Sequence, residues 1–455
     1  MKLTDSEDAL GLILLAWRGL RSHNEDAQIR YGSDRSQTTP LRMNEANMNL
    51  PQTSDVVIIG GGVLGASAAF HLAESGQQNV TLIDKGPIAS GTTPFAAGQT
   101  GYLNCDRFAL TFGTYCVEFF ENFAERTGHS IDFHQPGSLR VALTETFKQD
   151  LAGRHDAARE LGHPVEFLTH DQAHELVPTF HPPENCRILL IPRDGWVEPK
   201  SVAVAFAAAA VDRGIAIHTG VTALELVVDG GRVRGVRTDQ GVIATDRVVL
   251  AAGAWSRQFG QQHGLNLCTV PVQHQAFVTA PIPNVLAGQP IVRITEPQVY
   301  VRPEQGGLLC GGYGYRPLSV DMNQFPSDFE IASLKADPVY YQQLREAASE
   351  FFPTLRGATV VQERRGLPTI SPDGRLLVSE CQNLSGLIVA SGCGVGGIDR
   401  SPGVGRVVAE VVSGDLNWIP PDVLSIDRFD NAMIVDSALR ASCEEIYAHH
   451  YHETY

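Results

Sequence analysis

The sequence predicts an α/β fold, α+β overall, in which discontinuous segments build one domain around an inserted antiparallel β-sheet with a helix. An apolar run at 56–59 leads into glycines and an alanine-rich segment, which is typical of a buried strand, a tight turn and a helix. The same strand-to-glycine pattern returns at 247–256 and at 387–397. From residue 270, between these two stretches, the sequence shows the signals of antiparallel strands.

The composition fits a large protein with an extensive core. The 455 residues are 43% hydrophobic, which predicts two or three domains, or two interleaved ones. The net charge of -16 is spread along the chain and argues against a nucleic-acid partner. The 8 cysteines include no C-x-x-C pair, which favours reduced thiols in a cytoplasmic protein over a disulfide framework or a zinc site.

The N-terminal region carries no clear export or membrane signal. No apolar run reaches the ~18 residues needed to span a bilayer. The best candidate, 9–17, is roughly half that long and follows acidic residues where a signal peptide needs basic ones. Residues 1–50 are expected to form an N-terminal appendage, a short amphipathic helix and a polar linker, with Met43 and Met48 as alternative start sites.

A glycine motif follows the first apolar run. The spacing Gly60-x-Gly62-x-x-Gly65 matches the dinucleotide-binding fingerprint in its strand–turn–helix context. Gly60 permits the tight turn, Gly62 lets the backbone approach a pyrophosphate, and Gly65 lets the helix pack closely. Asp84 closes the next strand, where an acid accepts hydrogen bonds from ribose hydroxyls and disfavours the 2′-phosphate of NADP. The alternative is a glycine-rich turn of another α/β protein.

Further elements follow from hydrophobic periodicity and turn residues. Helices are predicted over 105–126, 147–161, 202–213, 332–350 and 403–412. Strands are predicted over 137–143, 216–219, 223–228, 247–250, 270–279, 299–302, 308–312 and 387–391, with hairpin turns at 229–231 and 304–307.

Several ordered motifs carry a family likeness. The unit at 56–84 is followed by Gly195-Trp196-Val197-Glu198-Pro199, by 250–256, by 365–374 and by the glycine turn at 391–405. In this order they resemble the FAD-dependent D-amino-acid oxidase superfamily, most of all its sarcosine and dimethylglycine dehydrogenase/oxidase branch, over about residues 54–455. The resemblance implies a Rossmann-like FAD-binding domain and oxidation of an amine C–N bond to an imine.

The resemblance also implies a domain layout. Segments 51–135, 195–265 and 356–425 would form the FAD-binding domain, and segments 136–194 and 266–355 the substrate-binding domain. Residues 426–455 would form a C-terminal tail. Within this tail, 439–455 resembles the connector to the folate-binding domain of the long dehydrogenases, so the sequence corresponds to the flavin half alone.

The fingerprint and the resemblance together assign a set of residues to FAD, drawn from the glycine turns and the loops between them. They are Gly60, Gly62, Val63, Leu64, Gly65, Asp84, Lys85, Thr92, Thr93, Ala97, Gly98, Gln99, Val221, Ala252, Gly253, Trp255, Gly392, Gly394, Val395, Gly396 and Gly397.

The chain departs from the family pattern at positions that bear on attachment. In the sarcosine and dimethylglycine dehydrogenases a histidine after the second strand is bonded to the flavin, and Phe95 takes its place here. The cysteine anchor of monomeric sarcosine oxidases falls near Gly366. We therefore expect FAD to be held non-covalently. The substrate-carboxylate lysine of those oxidases falls at Asp399 or Arg400, so that contact is not carried over.

Three residues are candidates for the chemistry. His274 suits acceptance of an ammonium proton because imidazole titrates near neutrality, and the resemblance places a functional histidine there. The tyrosine that follows in the family's H-Q-Y motif is Ala276 here. Tyr300 and Arg302 share one face of a strand, which would look into the substrate cavity. Tyr300 matches an active-site tyrosine of the family, and Arg302 would pair a carboxylate. The alternatives are a hydrogen-bonded strand histidine and a solvated sheet edge.

Other candidates have a simpler explanation beside the functional one. Arg364 and Arg365 would serve the flavin or the substrate, or pair with acids. Cys393, in the last glycine turn, would have a redox or covalent role or be a small packing residue. A C-terminal cluster would bind a metal or belong to a flexible tail, of which the tail is favoured: His449, His450 and His452.

Two functions from different classes are therefore predicted. The first is FAD-dependent oxidation of a secondary or tertiary amine of an amino acid, N-methylglycine-like or cyclic, by hydride transfer, with oxygen or a redox carrier as electron acceptor. The second is a catalytically silent flavoprotein acting as a regulatory subunit, which the changes at Phe95, Ala276 and Asp399 keep open. Neither nucleic acid nor membrane is an expected partner, and an oligomer or a partner subunit is compatible with both.

Overall fold

The computed structural model describes residues 49–104, 106–429 and 435–453. The expected appendage at 1–50, with Met43 and Met48, lies outside the described residues apart from Asn49 and Leu50. By its internal contacts, Leu50–Tyr455 forms one unit.

The strands of the described chain are short and are numbered here in chain order. They are β1 (Val56–Ile59), β2 (Val80–Asp84), β3 (Gln99–Thr100), β4 (Phe133–His134), β5 (Ser138–Ala142), β6 (Glu166–Leu168), β7 (Arg187–Ile191), β8 (Gly195–Val197), β9 (Ala216–Thr219), β10 (Ala223–Asp229), β11 (Arg232–Thr238), β12 (Gly241–Ala244), β13 (Val248–Leu250), β14 (Val270–Pro271), β15 (His274–Thr279), β16 (Ile291–Ile294), β17 (Val299–Glu304), β18 (Gly307–Gly312), β19 (Val360–Gly366), β20 (Thr369–Ile370), β21 (Leu377–Glu380) and β22 (Leu387–Ser391).

The α-helices are numbered in the same way. They are α1 (Val63–Glu74), α2 (Arg107–Glu121), α3 (Phe123–Thr127), α4 (Glu145–Glu160), α5 (His170–Leu176), α6 (Pro199–Asp212), α7 (Ser256–Gln261), α8 (Pro338–Ser349), α9 (Ser401–Ser413), α10 (Asp436–Ala448) and α11 (His450–Glu453).

A six-stranded sheet carries the glycine fingerprint. Its order is β21-β22-β13-β1-β2-β9, and all neighbours are parallel except β21 and β22. The four apolar residues of β1 are all buried, because helices cover the central strands. Helix α1 packs against both α6 and α9. This sheet confirms the predicted α/β class with a Rossmann-like domain assembled from separated segments.

A second sheet contains eight strands. Its order is β19-β15-β18-β17-β16-β5-β7-β6, and only β16 and β5 form a parallel pair. Strand β19 pairs with β15 from Gly366 opposite His274 to Val360 opposite Thr279. The predicted FAD-domain segment 356–425 therefore begins with a strand that belongs to the other sheet.

Most predicted elements shift by one to three residues at their ends, and three differ more substantially. The strand predicted over 270–279 is broken, because β14 pairs with β20 whereas β15 pairs with β18 and β19. The helix predicted over 332–350 starts only at Pro338, where the Asp337 carboxylate accepts hydrogen bonds from the first turn. The helix predicted from 105 to 126 is divided at Asn122 into α2 and α3.

The C-terminal segment is packed rather than extended. Helix α10 buries Leu439, Cys443 and Tyr447, which follow one another at a spacing of four residues on one helix face. They join a core cluster that contains Val270 and Tyr300. The tail predicted at 426–455 is thus helical and packed in its described part, and the flexible tail favoured for the histidine cluster does not fit the end of α10 and α11 at His449 and His450. None of the described helices is long and apolar enough to cross a membrane.

Candidate active site

A cavity of about 1600 Å³ extends from the glycine fingerprint to the face of the eight-stranded sheet. The residues predicted to bind FAD line this cavity, except Gly65 and Gly392. His274 and Tyr300 line it at the other end, together with Tyr313. One connected space thus joins the predicted cofactor residues to two of the three predicted catalytic residues.

Each fingerprint glycine lacks a side chain for a different structural reason. Gly60 has a φ of +113°, and a Cβ there would lie 2.4 Å from the Ala251 carbonyl oxygen. A Cβ on Gly65 would lie 1.9 Å from the Gly60 carbonyl oxygen, so this glycine permits the close approach of α1 to the turn. A Cβ on Gly62 would meet only the Thr93 hydroxyl, at 3.5 Å, and would otherwise project into the cavity. Gly62 therefore keeps space free for a ligand at the start of α1.

Asp84 supports the glycine turn with its carboxylate. One oxygen accepts a hydrogen bond from the Gly61 N–H at 2.5 Å, and the other accepts one from the Gly86 N–H at 2.7 Å. Burial raises the pKa of this carboxyl, and the two backbone donors oppose that shift. Asp84 also lines the cavity, so it can meet a ribose while it holds the turn.

At the sheet end, His274 is held between two tyrosines. Its Nε2 lies 2.8 Å from the Tyr300 hydroxyl, and its Nδ1 lies 2.8 Å from the Tyr447 hydroxyl on α10. Burial lowers the pKa of His274 to about 4 and raises the pKa of Tyr300 well above its usual value. At neutral pH both groups are uncharged, so one imidazole nitrogen donates a hydrogen bond and the other accepts one.

The direction of these hydrogen bonds follows from a backbone carbonyl at the inner end of the network. The Tyr340 hydroxyl donates to the Gly312 carbonyl oxygen at 2.5 Å. Tyr447 is hydrogen-bonded to Tyr340, whose proton is already committed, so Tyr447 must be the donor. The Tyr447 oxygen then accepts from His274 Nδ1–H, and His274 Nε2 accepts from the Tyr300 hydroxyl. The lone pairs of the Tyr300 oxygen are left for the cavity.

Arg302 does not join His274 and Tyr300 in the cavity. Its guanidinium is buried, pairs with Glu304 at 2.7 Å and donates from Nε to the Ala97 carbonyl oxygen at 2.9 Å. It also lies 4.4 Å from the Trp196 ring. Because Glu304 neutralises this charge inside the protein, the geometry does not fit the predicted carboxylate contact. Arg302 instead holds the Ala97 segment that lines the cofactor part of the cavity.

The neighbouring arginines Arg364 and Arg365 also pair with acids. Arg364 lies 3.0 Å from Glu304, and Arg365 lies 2.6 Å from Glu363. The sequence left open whether these arginines contact the flavin, contact the substrate or pair with acids. The structure shows that both pair with acids.

Two arginines of the eight-stranded sheet, Arg140 on β5 and Arg293 on β16, line the cavity and were not predicted from the sequence. They are direct register partners, and Arg293 is in turn the partner of Tyr300 on β17. Arg293 lies 2.5 Å from the Asp194 carboxylate. Burial, with Arg154 and Arg293 nearby, lowers the pKa of Arg140 to about 10. A signal for both was present, since each arginine stands between two apolar strand residues, Leu139 and Val141 on β5 and Val292 and Ile294 on β16.

The C-terminal segment supplies further cavity residues. His450 and Tyr451 line the cavity, and the Tyr451 ring lies 5.1 Å from that of Tyr313. Burial lowers the pKa of His450 well below its usual value. The side chain of His452 lies outside the description. Among the described residues there is no cluster suited to a metal, and His450 contacts aromatic rings instead.

The two positions that the family resemblance linked to flavin attachment lie side by side. A Cβ on Gly366 would lie 3.8 Å from the Phe95 Cβ, and both residues line the cavity. Neither carries a nucleophile. Cys393 also lines the cavity, and burial raises the pKa of its thiol. Asp399 accepts a hydrogen bond from the Gly101 N–H at 2.9 Å, and burial raises its pKa to about 6, so it offers no cation to a carboxylate.

The fold and the cavity define a protein of the flavoprotein oxidoreductase class. The sequence matches the FAD-dependent oxidoreductase family over residues 55–411. The chain therefore belongs to this family, which confirms the resemblance inferred from the ordered motifs. FAD is the cofactor of the family, and the free space at Gly62, the start of α1 and the turn at 394–397 fit a dinucleotide there.

Individual relatives agree with this family assignment. The chain is 32% identical to the mitochondrial dimethylglycine dehydrogenase of Mus musculus, with 92% of this chain and 48% of the relative covered. It is 29% identical to the 4-methylaminobutanoate oxidase (formaldehyde-forming) of Paenarthrobacter nicotinovorans, with 88% and 49% covered. The chain thus spans about half the length of these curated relatives. A crystal structure of glycine oxidase from Geobacillus kaustophilus superposes with a TM-score of 0.72 at 27% identity, over 84% of this chain and 100% of that chain.

Proposed function

We propose that this chain oxidises a secondary or tertiary amine of an amino acid to an imine, or to an iminium ion where the amine is tertiary. Bound FAD would supply the acceptor for the hydride, which carries both electrons. The hydrogen-bond network of His274 is the observation that carries the proposal, because it leaves the Tyr300 oxygen free to accept a proton in the cavity. Two of the relatives are named for N-methylated amino acids, which supports an amine of this kind.

The proton has a defined route in this arrangement. An alkylammonium ion must lose a proton before its carbon can lose a hydride, because the imine forms from the nitrogen lone pair. The Tyr300 oxygen accepts that proton while the Tyr300 hydroxyl passes its own to His274 Nε2, 2.8 Å away. Tyr300 remains a neutral phenol throughout, and His274 becomes an imidazolium. Burial disfavours this cation, so His274 is neutral before each turnover and ready to accept.

We also propose that FAD is held non-covalently and that the protein is cytoplasmic. Phe95 and Gly366 offer no attachment point, which supports non-covalent FAD. Oxygen and a redox carrier are both compatible with reoxidation of the flavin. A cytoplasmic location is supported by the cysteines of the described chain, which form no disulfide bond.

Anaerobic titration of the purified flavoprotein separates this function from the silent regulatory subunit. N-methylated and cyclic amino acids should bleach the flavin absorbance. Amines that lack a carboxylate serve as the comparison. A flavoprotein that stays oxidised with every amine in the series would contradict the proposed activity and favour the regulatory role.

A further inference from the structure

We propose that Arg140 binds the substrate carboxylate, and that the substrate is therefore an N-alkyl amino acid with several methylene groups between its amine and its carboxylate. This inference rests on the proposed amine oxidation and specifies the substrate class for the same cavity.

Arg140 differs from the buried arginines near it in how its charge is balanced. Three neighbours pair with carboxylates of the protein: Arg154 with Asp150 at 2.7 Å, Arg293 with Asp194 at 2.5 Å and Arg302 with Glu304 at 2.7 Å. In the described part of the chain no ion pair joins Arg140 to a carboxylate, and the Tyr451 ring lies 5.8 Å from its guanidinium carbon. Arg140 is half-buried and lines the cavity. A cation in this position is stabilised by an anion that enters the cavity.

Arg140 is separated from the proton acceptor Tyr300 by one intervening strand, β16. Tyr300, Arg293 and Arg140 are register partners on three adjacent strands, so their side chains leave the same face of the sheet. Neighbouring strands are about 4.8 Å apart, which places the backbones of Tyr300 and Arg140 about 10 Å from each other. The Tyr300 hydroxyl moreover reaches away from these strands, over Gly311 on β18 to His274 on β15. The carboxylate of N-methylglycine is one methylene from the nitrogen, so we infer that this substrate is too short to engage both ends.

Aromatic side chains line the cavity between Tyr300 and Arg140. The ring of Tyr313 lies 5.2 Å from that of His274 and 5.1 Å from that of Tyr451. Two aromatic rings therefore separate the proton acceptor from Arg140. Aromatic walls suit an apolar methylene chain better than a second charge. The cavity thus offers an amine end, an apolar middle and a cationic end in that order.

The test compares a series of substrates that differ in chain length. Anaerobic flavin reduction is measured with N-methylglycine, 3-(methylamino)propanoate, 4-(methylamino)butanoate, 5-(methylamino)pentanoate and, as the carboxylate-free control, N-methylbutylamine. The wild type should be reduced most efficiently, by rate constant over dissociation constant, by the butanoate or the pentanoate. Highest efficiency with N-methylglycine would overturn the inference and leave the amine oxidation standing. Failure of every amine would instead refute the proposed function itself.

Substitution of Arg140 tests the carboxylate contact separately from chain length. Arg140→Gln should raise the dissociation constant for the long carboxylated amines by about 10- to 100-fold, since hydrogen bonds to charged groups contribute about 1.5–3 kcal/mol. The constant for N-methylbutylamine should be unchanged, and Arg140→Lys should retain part of the affinity. Arg187→Gln removes an exposed guanidinium from neighbouring β7, outside the cavity, and serves as the matched control.

A binding measurement without turnover completes the test. Calorimetric titration with acetate, butanoate and pentanoate should show binding to the wild type that grows with chain length and is lost in Arg140→Gln. An equal loss of affinity for all amines in this variant, with or without a carboxylate, would contradict a carboxylate subsite. If Arg140→Gln does not fold, the chain-length series on the wild type and the Arg140→Lys variant still decide.

Discussion

His274 Nε2 lies 2.8 Å from the Tyr300 hydroxyl, although the two residues stand on strands that are not neighbours in the sheet. The contact is made possible by Gly311 on the strand between them, β18. A Cβ on Gly311 would lie 2.1 Å from the Tyr300 hydroxyl oxygen, so the phenol crosses the space that this glycine leaves open.

This contact predicts the effect of removing either partner. His274→Ala and Tyr300→Phe should each slow anaerobic flavin reduction by about 10²–10⁴-fold, the range for a general acid–base group, because each breaks the proton route. Both variants should retain FAD. Tyr315→Phe is the matched control, since the Tyr315 hydroxyl donates to the Pro297 carbonyl oxygen outside the cavity. Reduction of Tyr300→Phe at the wild-type rate would exclude Tyr300 as the proton acceptor.

Tyr447 is predicted to act through His274, as a positioning residue. Tyr447→Phe removes the acceptor of His274 Nδ1–H, which favours the other tautomer and turns the Tyr300 hydroxyl toward the cavity as a donor. A buried donor without a partner costs about 1–3 kcal/mol, so flavin reduction should slow by about 10-fold or more with unchanged substrate affinity. The ¹⁵N chemical shifts of His274 report the tautomer directly. A proton on Nδ1 in both proteins would show that Tyr447 contributes packing alone.

The lowered pKa of His274 predicts a pH dependence of stability. Burial lowers this pKa to about 4 in the folded protein, below the ordinary value of 6.5. The unfolded chain therefore takes up a proton first, and the free energy of unfolding falls as the pH decreases through this interval. Between pH 7 and pH 5 the loss from His274 is about 2 kcal/mol. Urea midpoints of the wild type should accordingly fall more over this range than those of His274→Gln, and parallel curves would contradict the buried neutral imidazole.

The glycine fingerprint predicts a separation of folding from FAD binding. Gly62→Val should fold, because a Cβ there meets only the Thr93 hydroxyl at 3.5 Å, but should purify without FAD. Gly65→Val should lower stability strongly, since its Cβ would overlap the Gly60 carbonyl oxygen. Circular dichroism and the flavin-to-protein absorbance ratio measure the two effects. Full flavin content in Gly62→Val would place the pyrophosphate elsewhere.

The strand–turn–helix unit at the fingerprint could be predicted from the sequence because its signals are local. The apolar run 56–59, the glycine spacing and Asp84 each constrain the backbone within a few residues. The start of α8 was predicted too early, at 332, although Asp337 and Pro338 carry a local signal for a cap and a first helical residue. The period of four among Leu439, Cys443 and Tyr447 is likewise a local signal of a buried helix face, which the predicted tail did not use.

The side-chain partners across the cavity were beyond the sequence because they depend on distant elements. Alternation placed Tyr300 and Arg302 on one face correctly, but the same rule puts Glu304 on that face and gives Arg302 an internal partner. Tyr447 meets His274 from a helix at the far end of the chain. The pairing of β5 beside β16, which brings Arg140 next to Arg293, joins strands separated by several other elements.

Single turnover under anaerobic conditions tests the central claim, amine oxidation in this cavity, most directly. The flavoprotein is mixed with one N-methylated amino acid, and the reduced flavin, the demethylated amine and formaldehyde released by hydrolysis of the imine are quantified. One equivalent of each product per flavin reduced is the expected result, with His274→Ala forming the same products slowly. An oxidised flavin and an unchanged amine after prolonged incubation, across the whole substrate series, would contradict the claim.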